Sequence, residues 1–137
     1  MSKDCIFCKI VHNEAPSSVV YEDSDVMAFM DIRPVSEGHT LIISKQHYED
    51  IFAAPEDQVA IAFKITKRIA TAVKKVTKAD GISIVQQNGK AAGQDVFHLH
   101  IHVIPRFEAV KMPKFGELEF ANRLTLENVA AKIRANL

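Results

Sequence analysis

Apolar and polar residues form short β-type runs early in the chain, recur at helical spacing through its middle, and alternate again beyond residue 81. Val19-Val20-Tyr21-Glu22 and Val26-Met27-Ala28-Phe29-Met30 predict two strands, with Asp23-Ser24-Asp25 as the turn of a hairpin. Before them lie a short compact segment, residues 5–12, and a turn at Glu14-Ala15-Pro16-Ser17-Ser18. Ile32-Arg33-Pro34 breaks the second run, and Ser36-Glu37-Gly38 reads as a loop. Thr40-Leu41-Ile42-Ile43 is almost wholly apolar, as a central strand covered on both faces would be. Residues 47–52 predict one or two helical turns. Pro55 fits the first position of a long helix, with Glu56 and Asp57 at its positive end. Val59, Ala62, Phe63, Ile69, Ala70, Val73 and Val76 predict its core face. Ile61, Ile65 and Ala72 add a second stripe, open to burial against a partner subunit or within a broad core face. Asp80-Gly81 ends the helix, and residues 82–87 predict a strand.

A polar loop with glycines at 89 and 93 follows. Then comes His98-Leu99-His100-Ile101-His102-Val103-Ile104-Pro105. On a strand, successive side chains point to opposite faces. This run therefore predicts three imidazoles on one face, with Leu99, Ile101 and Val103 on the other. Beyond Arg106 the chain is expected to be irregular through Pro113 and Gly116. Thr125 then predicts the N-cap of an amphipathic helix over residues 126–135. Strands, helix, strands, helix is an α+β order with one sheet.

At 137 residues, 47% hydrophobic and 25% charged, the chain reads as one globular domain. Lys plus Arg and Asp plus Glu each number 17, so the net charge is zero. That speaks against a nucleic-acid polymer or a membrane surface as partner but leaves room for a local anion site. Met1-Ser2-Lys3-Asp4-Cys5 carries no apolar signal stretch, and no apolar run approaches about 18 residues. A cytoplasmic location is expected.

Cys5-Ile6-Phe7-Cys8 is a CxxC pair. It suits a Cys2His2 zinc site if His47 and a strand histidine join it; a redox pair and plain core thiols are the alternatives. The three histidines admit a catalytic metal, nucleophilic catalysis at phosphorus, or a buried polar network. Asn88, Gly89, Gly93 and Gln94 bring amide donors beside them, as an anion-binding loop would. No lysine-bearing phosphate loop and no dinucleotide fingerprint is present. Phosphoryl or nucleotidyl chemistry without a catalytic metal is the economical reading.

Gly93-Gln94-Asp95-Val96-Phe97-His98-Leu99-His100-Ile101-His102-Val103-Ile104-Pro105-Arg106 resembles the signature of the histidine triad (HIT) superfamily of nucleotide hydrolases and transferases. Cys5-Ile6-Phe7-Cys8-Lys9-Ile10 resembles the opening of its Hint-like bacterial members. Phe29-Met30-Asp31-Ile32-Arg33-Pro34 and Gly38-His39-Thr40-Leu41-Ile42-Ile43 resemble its second block. The match spans about residues 4–107, with 108–137 as a variable C-terminal segment of the same domain.

The resemblance implies a homodimeric α+β domain: a five-stranded antiparallel sheet, one long helix packed on it and a short C-terminal helix. It implies attack by His100 on the α-phosphorus of purine nucleotides, an adenosine phosphoramidate first among them, through a covalent nucleotidyl-histidine. His102 and Gln94 would hold phosphate oxygens, with Asn88 close by, and Asp31 would bind the ribose hydroxyls. Ile6, Phe7, Ile10, Phe29, Ile32 and Leu41 would form the slot for the base, with His39 in support. Cys5, Cys8, His47 and His98 match the ligands of one structural zinc per chain, and no catalytic metal is expected. A dinucleoside polyphosphate hydrolase and a zinc-stabilised nucleotide-binding scaffold are the alternatives. Hint-like members often carry a small hydroxyl residue where Asp95 stands. A carboxylate there is repulsive to phosphate unless it turns away or meets the leaving group. The C-terminal segment, without Trp or a proline-rich ending, also departs from the pattern.

Overall fold

The computed structural model describes residues 4–113 and 118–137. The elements run α1 (Ile6–Val11), β1 (Val19–Glu22), β2 (Val26–Met30), β3 (Thr40–Ser44), α2 (Glu56–Thr77), β4 (Gly81–Gln86), β5 (His100–Arg106) and α3 (Arg123–Ala135), with a 3₁₀ turn at Lys90–Ala92. The five strands form one antiparallel sheet in the order β1-β2-β3-β5-β4. This is the α+β architecture that the resemblance implies.

The β1–β2 turn is built as its sequence suggests. Asp23 Oδ1 accepts the backbone N–H groups of Asp25 and Val26, both at 2.8 Å. β2 and β3 are buried at every position, because both faces of the sheet are covered. On one face Val26, Ala28, Met30, Ile42, Ile101 and Val103 meet α2 and α3. On the other, Met27, Phe29, Leu41 and Ile43 meet Cys5, Phe7, Cys8 and Ile10 from the α1 segment. Period-two alternation thus sends Ile101 and Val103 into the larger core, and it leaves His100 and His102 on the α1 side.

Five local expectations are corrected. Residues 47–52 form bends and a turn rather than helix; the segment is pinned from outside, Ile51 N–H donating to Asn88 Oδ1 at 2.8 Å. Pro55 is the N-cap of α2, not its first residue. Its ψ of 148° is extended, so the helix begins one residue later. The buried face of α2 is Ala62, Ile65, Thr66, Ile69, Ala72 and Val73. Phe63 is instead 40% exposed, because an i, i+3, i+4, i+7 stripe through Ile65 and Ile69 turns position 63 outward. β5 begins at His100, and His98 sits in the bend before it. α3 starts at Arg123, capped by Asn122, whose side-chain oxygen accepts Leu124 N–H at 2.8 Å; Thr125 falls inside the first turn. The irregular course expected through Gly116 lies outside the described residues.

Gly38 makes the approach to β3 possible. Its φ is +100°, and a Cβ there would stand 2.6 Å from Thr77 Cγ2 of α2. The next residue, His39, is thereby aimed under the sheet.

Candidate active site

A cleft of about 390 Å³ opens on the α1 face of the sheet, within the range of small-molecule pockets. Ile6, Phe7 and Ile10 form one wall and Phe29, Ile32 and Leu41 another. Asp31, His39, Asp95, His100 and His102 supply its polar lining. All six apolar slot residues, both strand histidines and Asp31 are thus brought together. Asn88 and Gln94 are not among the lining residues. Gln94 Oε1 accepts Gly89 N–H at 2.7 Å, and its Nε2 donates to the carbonyls of Glu49 and Val96. Asn88 pairs with Gln86 and holds Ile51. Both side chains brace the loops behind the cleft.

The hydrogen bonds assign a tautomer to each buried imidazole. His98 Nε2–H donates to Ser44 O at 2.6 Å, so its Nδ1 carries the lone pair. His100 Nδ1–H donates to His98 O at 2.6 Å, which places the lone pair of His100 on Nε2. Val35 N–H donates to His39 Nδ1 at 3.0 Å, so His39 bears its proton on Nε2. That N–H meets His102 Nδ1 at 3.0 Å, and His102 therefore keeps its own proton on Nε2. One imidazole is left as a lone-pair donor and its neighbour as an N–H donor. Phe7 packs edge-on against His100, with centroids 5.1 Å apart, and against His98 at 5.8 Å; it limits the tilt of both rings.

Burial keeps these rings neutral. It pulls His39 down to about 3, helped by His102 and His100. It takes His102 to about 4, with His100 adding to the effect and Asp95 opposing it. His100 is lowered for the same reason, against the pull of its bond to the His98 carbonyl and of Asp95. Asp31 moves the other way. Burial raises it to about 6, and Asp95 adds to the rise, while the Arg33 N–H at 2.8 Å and the Arg33 charge oppose it.

Beside the cleft, Cys5 Sγ, Cys8 Sγ, His47 Nδ1 and His98 Nδ1 converge within 4.8 Å of one another. Cys5 Sγ lies 3.3 Å from His98 Nδ1, Cys8 Sγ 3.2 Å from His47 Nδ1, and the two Nδ1 atoms are 3.2 Å apart. A tetrahedral zinc with ordinary bond lengths sets such edges at roughly 3.3–3.8 Å. The Ser44 carbonyl orients His98 as an outer partner orients a metal-bound histidine. Donor set and spacing both fit zinc. Asp31, His39 and His102 form a second cluster. There, however, His39 Nε2 carries a proton toward His102 and has no lone pair to give.

Sequence reasoning missed Arg33 and Arg123, which also line the cleft. Arg33 adjoins Asp31 and donates to Leu118 O at 2.9 Å. Arg123 arrives only because α3 packs back on β1, where its guanidinium meets Ser18 Oγ at 2.9 Å; nothing local announces it.

Fold and site together define a class: an antiparallel sheet whose fourth strand in spatial order presents buried, tautomer-locked histidines to an apolar cleft. Residues 12–109 match the HIT domain. A Hit-like protein of Bartonella henselae, described as involved in cell-cycle regulation, superposes with a TM-score of 0.94 at 42% identity, covering 100% of this chain and 98% of that one. A zinc-bound histidine triad family protein of Mycobacterium smegmatis gives 0.86 at 38% identity, covering 97% and 92%. The adenylylsulfatase HINT3 of Arabidopsis thaliana is 42% identical over 108 residues, 79% of this chain and 55% of the plant protein. The chain belongs to the HIT family, whose members process nucleotides.

Proposed function

We propose that this protein is a nucleotidyl hydrolase or transferase acting at the α-phosphate of purine nucleoside phosphoramidates. The observation that carries the reading is the Nε2 lone pair of His100, fixed by the bond from its Nδ1 to His98 O and turned to the floor of the cleft. A neutral imidazole needs no base to attack phosphorus. His100 Nε2 bonds to phosphorus in line as the leaving group departs, giving a nucleotidyl-histidine. Water then attacks phosphorus from the side the leaving group vacated, the P–Nε2 bond breaks with its electron pair returning to His100, and the water's proton is released to solvent. His102 Nε2–H donates to a phosphate oxygen as charge shifts onto it. Asp31 takes the ribose hydroxyls, and Phe7, Ile10, Phe29, Ile32 and Leu41 the base.

Cys5, Cys8, His47 and His98 would hold one zinc per chain. The metal supplies structure, tying the α1 segment to the residue whose carbonyl orients His100, and the reaction does not pass through it. We also infer that the chain is a homodimer. Phe63 and Ile84, 40% and 49% exposed, border a groove between α2 and edge strand β4, and pairing would cover both groove and edge. No helix among the described residues is long and apolar enough to cross a membrane. A cytoplasmic location belongs to this reading.

Intact-mass spectrometry during turnover of adenosine phosphoramidate tests it. A nucleotide adduct lost in His100→Ala is expected. Turnover that survives His100→Ala in a folded protein refutes the nucleophile assignment. Hydrolysis of dinucleoside polyphosphates in preference to amidates would favour the alternative substrate class. Nucleotide binding without turnover would favour a scaffold.

A further inference from the structure

We propose that Asp95 sets the leaving-group preference of this reaction, favouring amines over anionic groups, and that the cavity beyond it seats the departing group. The inference rests on the nucleotidyl-transfer reading of His100. Asp95 Oδ1 lies 3.8 Å from His100 Nε2, and its side chain is 79% exposed. It stands where the cleft meets a second cavity, of about 610 Å³, and it lines both. The two cavities share Ile6, Asp95 and Val96, and the second adds Asp4, Glu49 and Phe97 at its mouth with Cys5 and His47 of the zinc-fitting cluster on one wall. No lysine or arginine is among the described residues lining the second cavity.

In-line geometry makes Asp95 a neighbour of the bond that breaks. With phosphorus about 3.3 Å from Nε2, the leaving atom stands roughly 5 Å from Nε2 on the far side. Where it stands, Oδ1 would crowd a phosphorus on that line at roughly 2 Å, so the Asp95 side chain, 79% exposed and lining both cavities, turns outward toward the second cavity to accept at roughly 2.8 Å from the leaving atom. The Asp95 carboxylate then accepts the N–H of a phosphoramidate. Solvent in the open cavity first gives one proton to the bridging nitrogen, which becomes cationic; the Nε2–P bond then forms as the P–N bond breaks, and the nitrogen keeps the electron pair and departs as a neutral amine. The water that later hydrolyses the nucleotidyl-histidine returns that proton. Positive charge developing on the nitrogen is stabilised by Asp95, and an ammonium farther along the amine by Glu49 and Asp4. A sulfate or nucleoside phosphate at the same place meets only repulsion. Repulsion between Asp95 and the α-phosphate itself is common to all substrates and cancels in their ratio.

The experiment compares kcat/KM for an adenosine butylphosphoramidate, its aminobutyl counterpart, adenylyl sulfate and diadenosine triphosphate. Wild type, Asp95→Asn, Asp95→Ser and Glu49→Gln are assayed on all four. Wild type is expected to prefer both amidates. Asp95→Asn and Asp95→Ser should lower the amidate-to-sulfate ratio about tenfold, through faster sulfate and slower amidate turnover. Glu49→Gln should reduce only the preference for the aminobutyl over the butyl compound. A ratio that moves less than about twofold in both Asp95 variants, or an equal loss on all four substrates, overturns the inference while leaving His100 in place. An unchanged aminobutyl preference in Glu49→Gln overturns the seat assigned to the second cavity. Wild type inactive on all four, or His100→Ala fully active, overturns the underlying reading and this inference with it.

Discussion

Replacing His39 separates the stability of the site from its chemistry. His39 is 1% exposed and spends both ring nitrogens: Nδ1 accepts from Val35 N–H, and Nε2–H donates to His102 Nδ1. His39→Ala leaves the buried His102 Nδ1 without its partner, at about 1–3 kcal/mol, frees the half-buried Val35 N–H at less cost, and opens a ring-sized hole. Against a typical domain stability of about 5–15 kcal/mol, the variant should fold but melt early. It also frees His102 to move its proton to Nδ1, so that Nε2 would offer a lone pair to a phosphate oxygen. Losing one charge-assisted hydrogen bond in the transition state costs about 1.5–3 kcal/mol, or about ten- to a hundredfold in rate. Two further variants divide the effects. The amide nitrogen of Gln in His39→Gln replaces Nε2–H, whereas the oxygen of Asn in His39→Asn replaces Nδ1. Rate should return mainly in His39→Gln, and His39→Asn should remain slow although it satisfies Val35. The assay is kcat for adenosine phosphoramidate beside urea melts of all four proteins. Equal rates in the Asn and Gln variants, or a native rate in His39→Ala, would refute the tautomer argument.

Chelation or Cys8→Ala should remove about one zinc per chain by elemental analysis and lower thermal stability sharply, while a residual His100-dependent rate persists; complete loss of chemistry with the fold intact would make the metal catalytic. Acid should destabilise the protein. His39 and His102 titrate at about 3 and 4 when folded, against 6.5 ordinarily, so the unfolded chain binds more protons in that window and stability falls as pH drops. Asp31, raised to about 6, opposes this below pH 6. His98, pulled down to about 4 by burial, and the lowered His100 act in the same direction, so several histidines against one carboxyl leave a net loss of at least about 1 kcal/mol per pH unit between pH 6 and 4; a stability maximum near pH 5 in urea titrations would contradict it. Gly38→Ala should cost about 1–3 kcal/mol in chemical denaturation, since φ is +100° and the new methyl meets Thr77; a neutral effect would show that the turn can relax.

Much of the architecture was legible because the strands obey a simple period. Alternation in residues 100–104 separated the histidines from Ile101 and Val103 without any long-range information. The CxxC pair and His47 were legible as possible ligands, but only folding reveals that they meet His98. Residues 47–52 were misread because their conformation is imposed from 37 positions away, by Asn88. Asn88 and Gln94 were read by their chemistry as phosphate donors, and their amides turn out to be spent on loop backbone and on Gln86. His39 was visible only as support. Its relay from Val35 to His102 requires β3 and β5 to be neighbours, with Leu41 opposite His102, and that pairing is a property of the topology rather than of any local pattern.

β5 is gripped on both sides, by β3 and by β4. A one-residue slip of its pairing register would exchange its two faces, sending His100 and His102 into the oil of the larger core and Ile101 and Val103 into the cleft. The residues that make the reaction and those that make the core are thus written into one reading frame. The strand itself has almost no freedom to drift. Descendants of such a chain can change what they act on only at the strand's borders: the 31–39 turn, the 94–98 approach and the helix that leans on β1. Diversity in this scaffold should therefore collect at the rim of the cleft while its floor stays constant.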